Sequence, residues 1–229
     1  LGLHLAAGMV TVAVAYPWIS PARRLRLKRR WSRRLLAALG IELRASGASA
    51  EGLLVANHIS FLDIFVINAV APAAFVAKDD VRGWPLIGWL ATRTDTIFLE
   101  RGSRAAAQHA RARLVEHLGT GERAAVFPEG TTTTGDHVLP FHGALFQAAI
   151  DAGAPVTPLA LRYGGRDGRR SDAPAYVDDI TLWQCLRAIA MADGLVAHIE
   201  VLPPIPSLVA DRRHLAAHAH RTIAHAIGV

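Results

Sequence analysis

The sequence predicts an α/β fold, a mostly parallel sheet flanked by helices, with an N-terminal membrane-associated helix. Three observations lead to it. From Leu53 onward, short apolar runs alternate with segments of helical period, the pattern of buried strands joined by crossover helices. The first nineteen residues carry no formal charge. At 229 residues the chain is long enough for one substantial core, and it shows no repeat, low-complexity stretch or internal linker. Residues 1–22 are therefore read as a transmembrane or interfacial helix, and 23–229 as a single domain.

As a helix, residues 1–19 would extend about 28 Å, close to the hydrocarbon thickness of a bilayer. Directly behind them stand Arg23, Arg24, Arg26, Lys28, Arg29, Arg30, Arg33 and Arg34, eight positive charges within twelve residues. A basic run on that side marks it as cytoplasmic and attracts anionic headgroups. The expected location is the inner (cytoplasmic) membrane, with the folded domain facing the cytoplasm and an anionic membrane surface as partner. A signal peptide would carry its charges before the apolar stretch. Two glycines, His4 and Pro17 weaken the segment as a span, so an interfacial helix stays open beside a spanning one.

The cluster exceeds the whole formal net charge of +6, so the rest of the chain is slightly acidic, which is no nucleic-acid-binding pattern. A hydrophobic content of 52% against 19% charged residues fits contact with lipid. The single cysteine, Cys185, excludes an internal disulfide, fits a reducing compartment and reads as buried packing in a helix.

The elements follow in order. Residues 31–39 form an amphipathic helix stopped by Gly40. Strands are expected at 53–56, 74–77, 96–99, 124–127, 156–161 and 198–202. Helices are expected at 62–70, 103–118, 144–152, 182–191 and 207–227. Pro158 should mark an edge strand or a bulge. The apolar segment 83–90 is read as acyl-channel lining, membrane contact or plain core, and the Gly/Arg-rich stretch 164–170 as a surface loop.

Three of these strands end in polar residues. His58 follows the first, with Asp63 one helical turn further on. A histidine's ordinary pKa of about 6.5 suits it to take a proton from a hydroxyl near neutrality, and an aspartate on the far ring nitrogen would orient it. The alternative is that Ser60-Phe61-Leu62-Asp63 is a capping box and Asp63 serves a helix start. Arg101 follows the third strand; its guanidinium can grip a phosphate in bidentate fashion or pair with Glu100 or Glu129. Phe127-Pro128-Glu129-Gly130-Thr131 ends the fourth in a tight turn, where Gly130 permits close approach and Thr131 to Thr134 offer donors. All three would meet at the carboxyl edge of the sheet, where open α/β sheets bind ligands.

In this order and at these intervals, His58-x4-Asp63, Phe98-Leu99-Glu100-Arg101-Gly102-Ser103, Phe127-Pro128-Glu129-Gly130-Thr131 and Val156-Thr157-Pro158-Leu159 resemble the glycerolipid acyltransferase family. Its members include the 1-acylglycerol-3-phosphate and other lysophospholipid acyltransferases, and the resemblance covers roughly residues 30–205. It implies an O-acyltransferase of membrane phospholipid biosynthesis, moving a fatty acyl group from acyl-CoA or acyl carrier protein to the free hydroxyl of a lysolipid. His58 and Asp63 would be catalytic; Arg101, Glu129, Gly130 and Thr131 would bind the acceptor. The thioester is a co-substrate, so neither a metal nor a resident cofactor is implied.

One departure stands out. Many members carry arginine after that threonine, whereas here the residue is Thr132. Losing a guanidinium leaves room for a different acceptor, including a lyso-ornithine lipid that has no phosphate. A non-catalytic lipid-binding protein on the same fold is the remaining alternative. His214, His218 and His225 share a helix face without the glutamate of a zinc-protease pattern, and neither Gly-x-Ser-x-Gly nor a Walker A loop occurs.

Overall fold

Leu53–Ala56 is buried along its whole length, and a four-residue strand apolar on both faces finds cover only inside a sheet. That constraint organises the computed structural model, which describes residues 1–83, 87–99, 104–208 and 211–229. Its strands are β1 (Glu42–Gly47), β2 (Leu53–Ala56), β3 (Ala74–Lys78), β4 (Ile97–Leu99), β5 (Ala124–Val126), β6 (Val156–Gly164) and β7 (Val196–Val201). They lie in the order β1-β7-β6-β2-β5-β3-β4, with β2 near the centre. Every described neighbouring pair is parallel except β6 with β7. The carboxyl ends of β2, β3, β4, β5 and β6 therefore share one edge.

The helices are α1 (Gly2–Val10), α2 (Pro21–Ala38), α3 (Asp63–Val70), α4 (Ile87–Arg93), α5 (Arg104–Gly119), α6 (Phe146–Ala152), α7 (Leu182–Met191) and α8 (Arg212–Ile227). Alternation along β2 sends Leu54 and Ala56 to one face and Leu53 and Val55 to the other. The first pair packs with Leu36 of α2, Ile67 of α3 and Ile189 of α7. The second packs with Leu114 of α5, Phe146 of α6 and Leu215 of α8. Helices thus cover both faces, as expected.

The N-terminal segment departs from its expected form. Among the described residues no helix is long and apolar enough to cross a membrane. The α1 helix runs on through a π-helical turn, Thr11–Ala15, into a 3₁₀ turn, Tyr16–Trp18, that contains Pro17. Ile19 is extended and α2 starts at Pro21, so the chain turns there and α2 packs back on α1. One stripe of it packs on α2: Gly8 faces the Trp31 indole so closely that an added Cβ would lie 2.5 Å from Nε1. His4 stacks on the same ring at 4.9 Å, and the Trp31 ring meets Phe65 of α3 at 5.7 Å. The opposite stripe carries Leu3 and Trp18, each 87% exposed, with Val10 and Val14 between them.

The basic run lies within α2, which was expected to begin only at residue 31. Arginine and lysine are good helix formers, and Pro21 sits at the first helical position. Part of the run bonds to the protein's own carbonyls, Arg29 and Arg33 while staying exposed. Arg29 and Arg33 both donate from Nε to the carbonyl of Ala69 in the last turn of α3, at 3.2 and 2.9 Å. That is where a helix leaves acceptors unpaired and where its dipole favours cations. Lys28 donates to the carbonyls of Ala73 and Thr94, and burial lowers its pKa from the usual lysine range. Arg23, Arg26, Arg30 and Arg34 are exposed.

Two strands differ from the reading of the sequence. The β1 strand was missed because it lies at an edge with nearly all its side chains exposed, leaving no apolar run to mark it. Pro158 lies within an interior strand, not an edge strand. Its carbonyl accepts from Leu202, just past the last β6–β7 pair, Leu159 with Val201. Between the Val156–Ile205 bridge and the Leu159–Val201 pair, three residues oppose two on β6, so Pro158 sits at a bulge, the second of its two expected settings. In the 83–90 segment, residues 84–86 lie outside the described residues, and Ile87 and Trp89 of α4 are exposed.

Candidate active site

The register of the sheet assembles the site. Leu53 pairs with Ala124 and Val55 with Val126, so three residues beyond each strand's paired end the chain delivers His58 and Glu129 side by side. Between Ala56 and His58, the fully buried Asn57 pins the turn. Its amide nitrogen donates to the carbonyl of Leu161 at 3.0 Å, and its oxygen accepts from the Leu161 amide at 2.8 Å. The side chain thus prolongs the β2–β6 pairing while the backbone leaves the sheet.

His58 Nδ1 lies 2.9 Å from Asp63 Oδ2. The same oxygen accepts from the amides of Ile59 at 2.7 Å and Ser60 at 2.9 Å. Asp63 Oδ1 accepts from the Tyr163 hydroxyl at 2.7 Å. Asp63 is fully buried, and all four donors fall on its two oxygens. Asp63 thus serves two backbone amides just ahead of α3 as well as the imidazole, while the full capping box is not formed, since α3 has no side-chain cap. A carboxylate can only accept, so Nδ1 carries the hydrogen, and in the neutral ring Nε2 keeps the lone pair. The imidazole is also stacked on Phe127, with centroids 3.9 Å apart and planes inclined by 12°. Its side chain is 20% exposed, enough to meet a substrate.

Glu129 is buried, and both its oxygens meet backbone donors: Oε1 takes the amide of His58 and Oε2 that of Leu139, each at 2.7 Å. Burial raises its pKa from the usual carboxylate range, against the pull of those two hydrogen bonds and of His58 and His137. In this arrangement the side chain clamps the base's backbone to the loop that follows β5. The loop closes further where Thr133 donates its amide to the His58 carbonyl at 2.8 Å. Gly130, at φ +73°, takes a left-handed turn that L side chains rarely adopt. Thr131 is exposed beside it. The Thr132 hydroxyl donates to the Tyr176 carbonyl, and the Tyr176 amide to the Ile59 carbonyl at 2.9 Å. That pair draws the 172–181 segment against the site.

Four of the sequence-predicted residues thus converge, His58 with Asp63 and Glu129 with Gly130, and Thr131 follows on the same turn. Arg101 lies outside the described residues, two positions past the end of β4. Sequence reasoning gave no role to Asn57, Phe127 or Tyr163. For Tyr163 a signal existed, because Leu159, Leu161 and Tyr163 alternate onto the Leu54 face, but the strand was expected to end at 161. Chemically, an imidazole held on one edge by a buried carboxylate and open at Nε2 can take a proton from a hydroxyl. The carboxylate then stabilises the imidazolium.

Comparison with known proteins agrees with this chemistry. The family described as Acyltransferase matches residues 40–162. A lyso-ornithine lipid O-acyltransferase of Pseudomonas aeruginosa is 40% identical over 227 residues, which is 97% of this chain and 86% of that protein. A 1-acyl-sn-glycerol-3-phosphate acyltransferase of Neisseria meningitidis serogroup B is 40% identical over 172 residues, 73% of this chain and 67% of its own. The crystal structure of the 1-acyl-sn-glycerophosphate (LPA) acyltransferase PlsC from Thermotoga maritima superposes with a TM-score of 0.69 at 20% identity. It covers 99% of this chain and 92% of that one, and shares the fold.

Proposed function

The chain belongs to the acyltransferase family, and from that premise we propose that it transfers a fatty acyl group from acyl-CoA or acyl carrier protein to the free hydroxyl of a lysolipid. The His58–Asp63 geometry carries this reading. His58 Nε2 takes the hydroxyl proton as the acceptor oxygen attacks the thioester carbonyl. The carbon–oxygen bond forms, the carbon–sulfur bond breaks as the tetrahedral intermediate collapses, and the leaving thiolate receives the proton from the imidazolium. No resident cofactor is needed, because the thioester supplies the leaving group.

Arg101 and the turn from Glu129 to Thr131 are assigned to the acceptor headgroup, with Glu129 acting by holding that turn against His58. Among acceptors, 1-acylglycerol-3-phosphate fits a guanidinium at position 101. A lyso-ornithine lipid is the second reading, favoured by the Pseudomonas relative and by Thr132, whose hydroxyl is turned to the Tyr176 carbonyl. Mass spectrometry of products from a panel of lyso-acceptors with one acyl donor decides between them. Thiol release that depends on lysolipid excludes a purely lipid-binding protein, and its absence with every acceptor overturns the enzymatic reading.

Arg101→Ala should raise the KM for phosphate-bearing lysolipids about 10–100-fold, the equivalent of one charge-assisted hydrogen bond, and leave the donor KM unchanged. Lysine should restore only part, having charge but no planar fork. If the wild type acylates only the phosphate-free acceptor, Arg101 belongs to carboxylate binding or to an ion pair instead.

The exposed stripe of Leu3, Val10, Val14 and Trp18, followed by Arg23, Arg26, Arg30 and Arg34, fits an interfacial helix on an anionic inner-membrane leaflet, with the domain on the cytoplasmic side. Deleting residues 1–19 should shift the protein from the membrane fraction towards solution while circular dichroism keeps its α/β signature. The binding to anionic vesicles that remains should be salt-sensitive, at about 1 kcal/mol per basic residue near the surface. Salt-insensitive retention would point to another anchor, with Ile87 and Trp89 the first to test.

A further inference from the structure

We propose that Tyr163 is a positioning residue for the base: its phenol holds the Asp63 carboxylate with Oδ2 turned to His58 and sets how much of the carboxylate's charge reaches the imidazole. This rests on the general-base role of His58 proposed above.

The geometry is specific. Oδ2 gathers three donors, from the His58 ring and the amides of Ile59 and Ser60, whereas Oδ1 has the Tyr163 hydroxyl at 2.7 Å. Without that hydroxyl, a fully buried oxygen would lose the partner that distinguishes it from Oδ2. Tyr163 itself is only 3% exposed and belongs to the apolar cluster beneath α3 and α7. Phenylalanine would fill that space without burying an oxygen, which is costly unless the oxygen is hydrogen-bonded. Among the described residues, the hydroxyl's hydrogen-bond partner is the carboxylate of the dyad.

The phenol is also held in place and kept protonated. Two positions before it, Leu161 is gripped through both its backbone groups by Asn57, the residue that precedes His58. The base and its remote support are thereby tied to the same strand. Burial first, and then the charge of Asp63, pushes the tyrosine's pKa well above its ordinary value, so it stays a donor throughout the working range. The ionisable groups that face this assembly, among the described residues, are Asp63 at the start of α3, Glu129 and His137 in the loop after β5, and the Cys185 thiol of α7 behind the phenol.

The test compares Tyr163→Phe with site-specific incorporation of a fluorinated tyrosine at 163, in the full chain, by thiol release across pH and by thermal melting. With the hydroxyl gone, more of the carboxylate's charge faces Nδ1 and the imidazolium is better stabilised. The acid limb of the kcat/KM profile should then move to higher pH. The kcat should fall on the order of tenfold, the lower end of what a hydrogen bond to a charged group is worth, with both KM values unchanged. A fluorinated phenol is a stronger donor and should move the same limb to lower pH. Superimposable profiles and a wild-type kcat in the Phe variant overturn the proposal. So does a rate loss uniform in pH that follows a lowered melting temperature, which is the mark of a packing role. Measuring His58→Ala in the same assay separates the two levels. If that variant remains active, the general-base reading has failed; if it is inactive while the Phe variant behaves as wild type, only the role of Tyr163 has failed.

Discussion

Replacing His58 with alanine should reduce lysolipid-dependent thiol release to background while the protein still melts cooperatively near the wild-type temperature. General-base catalysis contributes about 10²–10⁴-fold, and here the base also fixes where the acceptor hydroxyl approaches. The fold should survive because Asp63 keeps three other donors, from Ile59, Ser60 and Tyr163, when the imidazole is removed. The His58 backbone amide, which anchors Glu129, is untouched by the change. A variant that kept more than about a tenth of wild-type turnover would fall below even the weak end of general-base contributions and remove His58 from the mechanism.

Asp63→Asn should be nearly as damaging for a different reason. All four groups around the carboxylate are donors, and an amide offers one acceptor atom where the carboxylate has two. If the amide nitrogen turns to Tyr163, whose hydroxyl can rotate to accept, the geometry around His58 survives but the charge that stabilises the imidazolium is gone. If it turns the other way, it forces the imidazole to accept at Nδ1, and Nε2 then carries the hydrogen and cannot act as a base. Either arrangement predicts a kcat loss on the order of 10²–10⁴-fold. Tautomer-sensitive nitrogen NMR of His58 tells them apart. Wild-type kcat in this variant would reduce Asp63 to its helix-start role.

Much of this was legible because it depends on short stretches of chain. A four-residue apolar run followed by a histidine marks both a buried strand and the point where the chain emerges from it. The parallel sheet, the shared carboxyl edge and the meeting of His58 with Glu129 all follow from reading such runs as neighbours. What escaped depends on distant pairing. Edge strand β1 has an exposed pattern like that of a loop, and only its ladder with β7 makes it a strand. The Asn57 amide finds its partner at Leu161, and Tyr163 reaches Asp63 from a hundred residues away. In the basic run, charge density suggested contact with anionic headgroups, yet Arg29 and Arg33, though exposed, also cap a helix that begins about thirty residues later in the chain. Charge patterns alone do not say which cations meet water and which meet carbonyls.

The column of rings from His4 through Trp31 to Phe65 has a mechanical consequence. Phe65 stands two residues after Asp63 on the same helix, so the N-terminal helix and the dyad are joined by rigid rings, His4 stacked on Trp31 and Trp31 tilted by 59° against Phe65, with no slack tether between them. Gly8 brings the α1 backbone down onto the same indole, leaving no gap in which the joint could hinge. A helix lying on a lipid surface would then act as a fixed stage whose height sets the altitude of Nε2 above the bilayer. The enzyme would meet only hydroxyls presented at that level, and acceptor choice would depend on how far a headgroup rises from the membrane as well as on its charge.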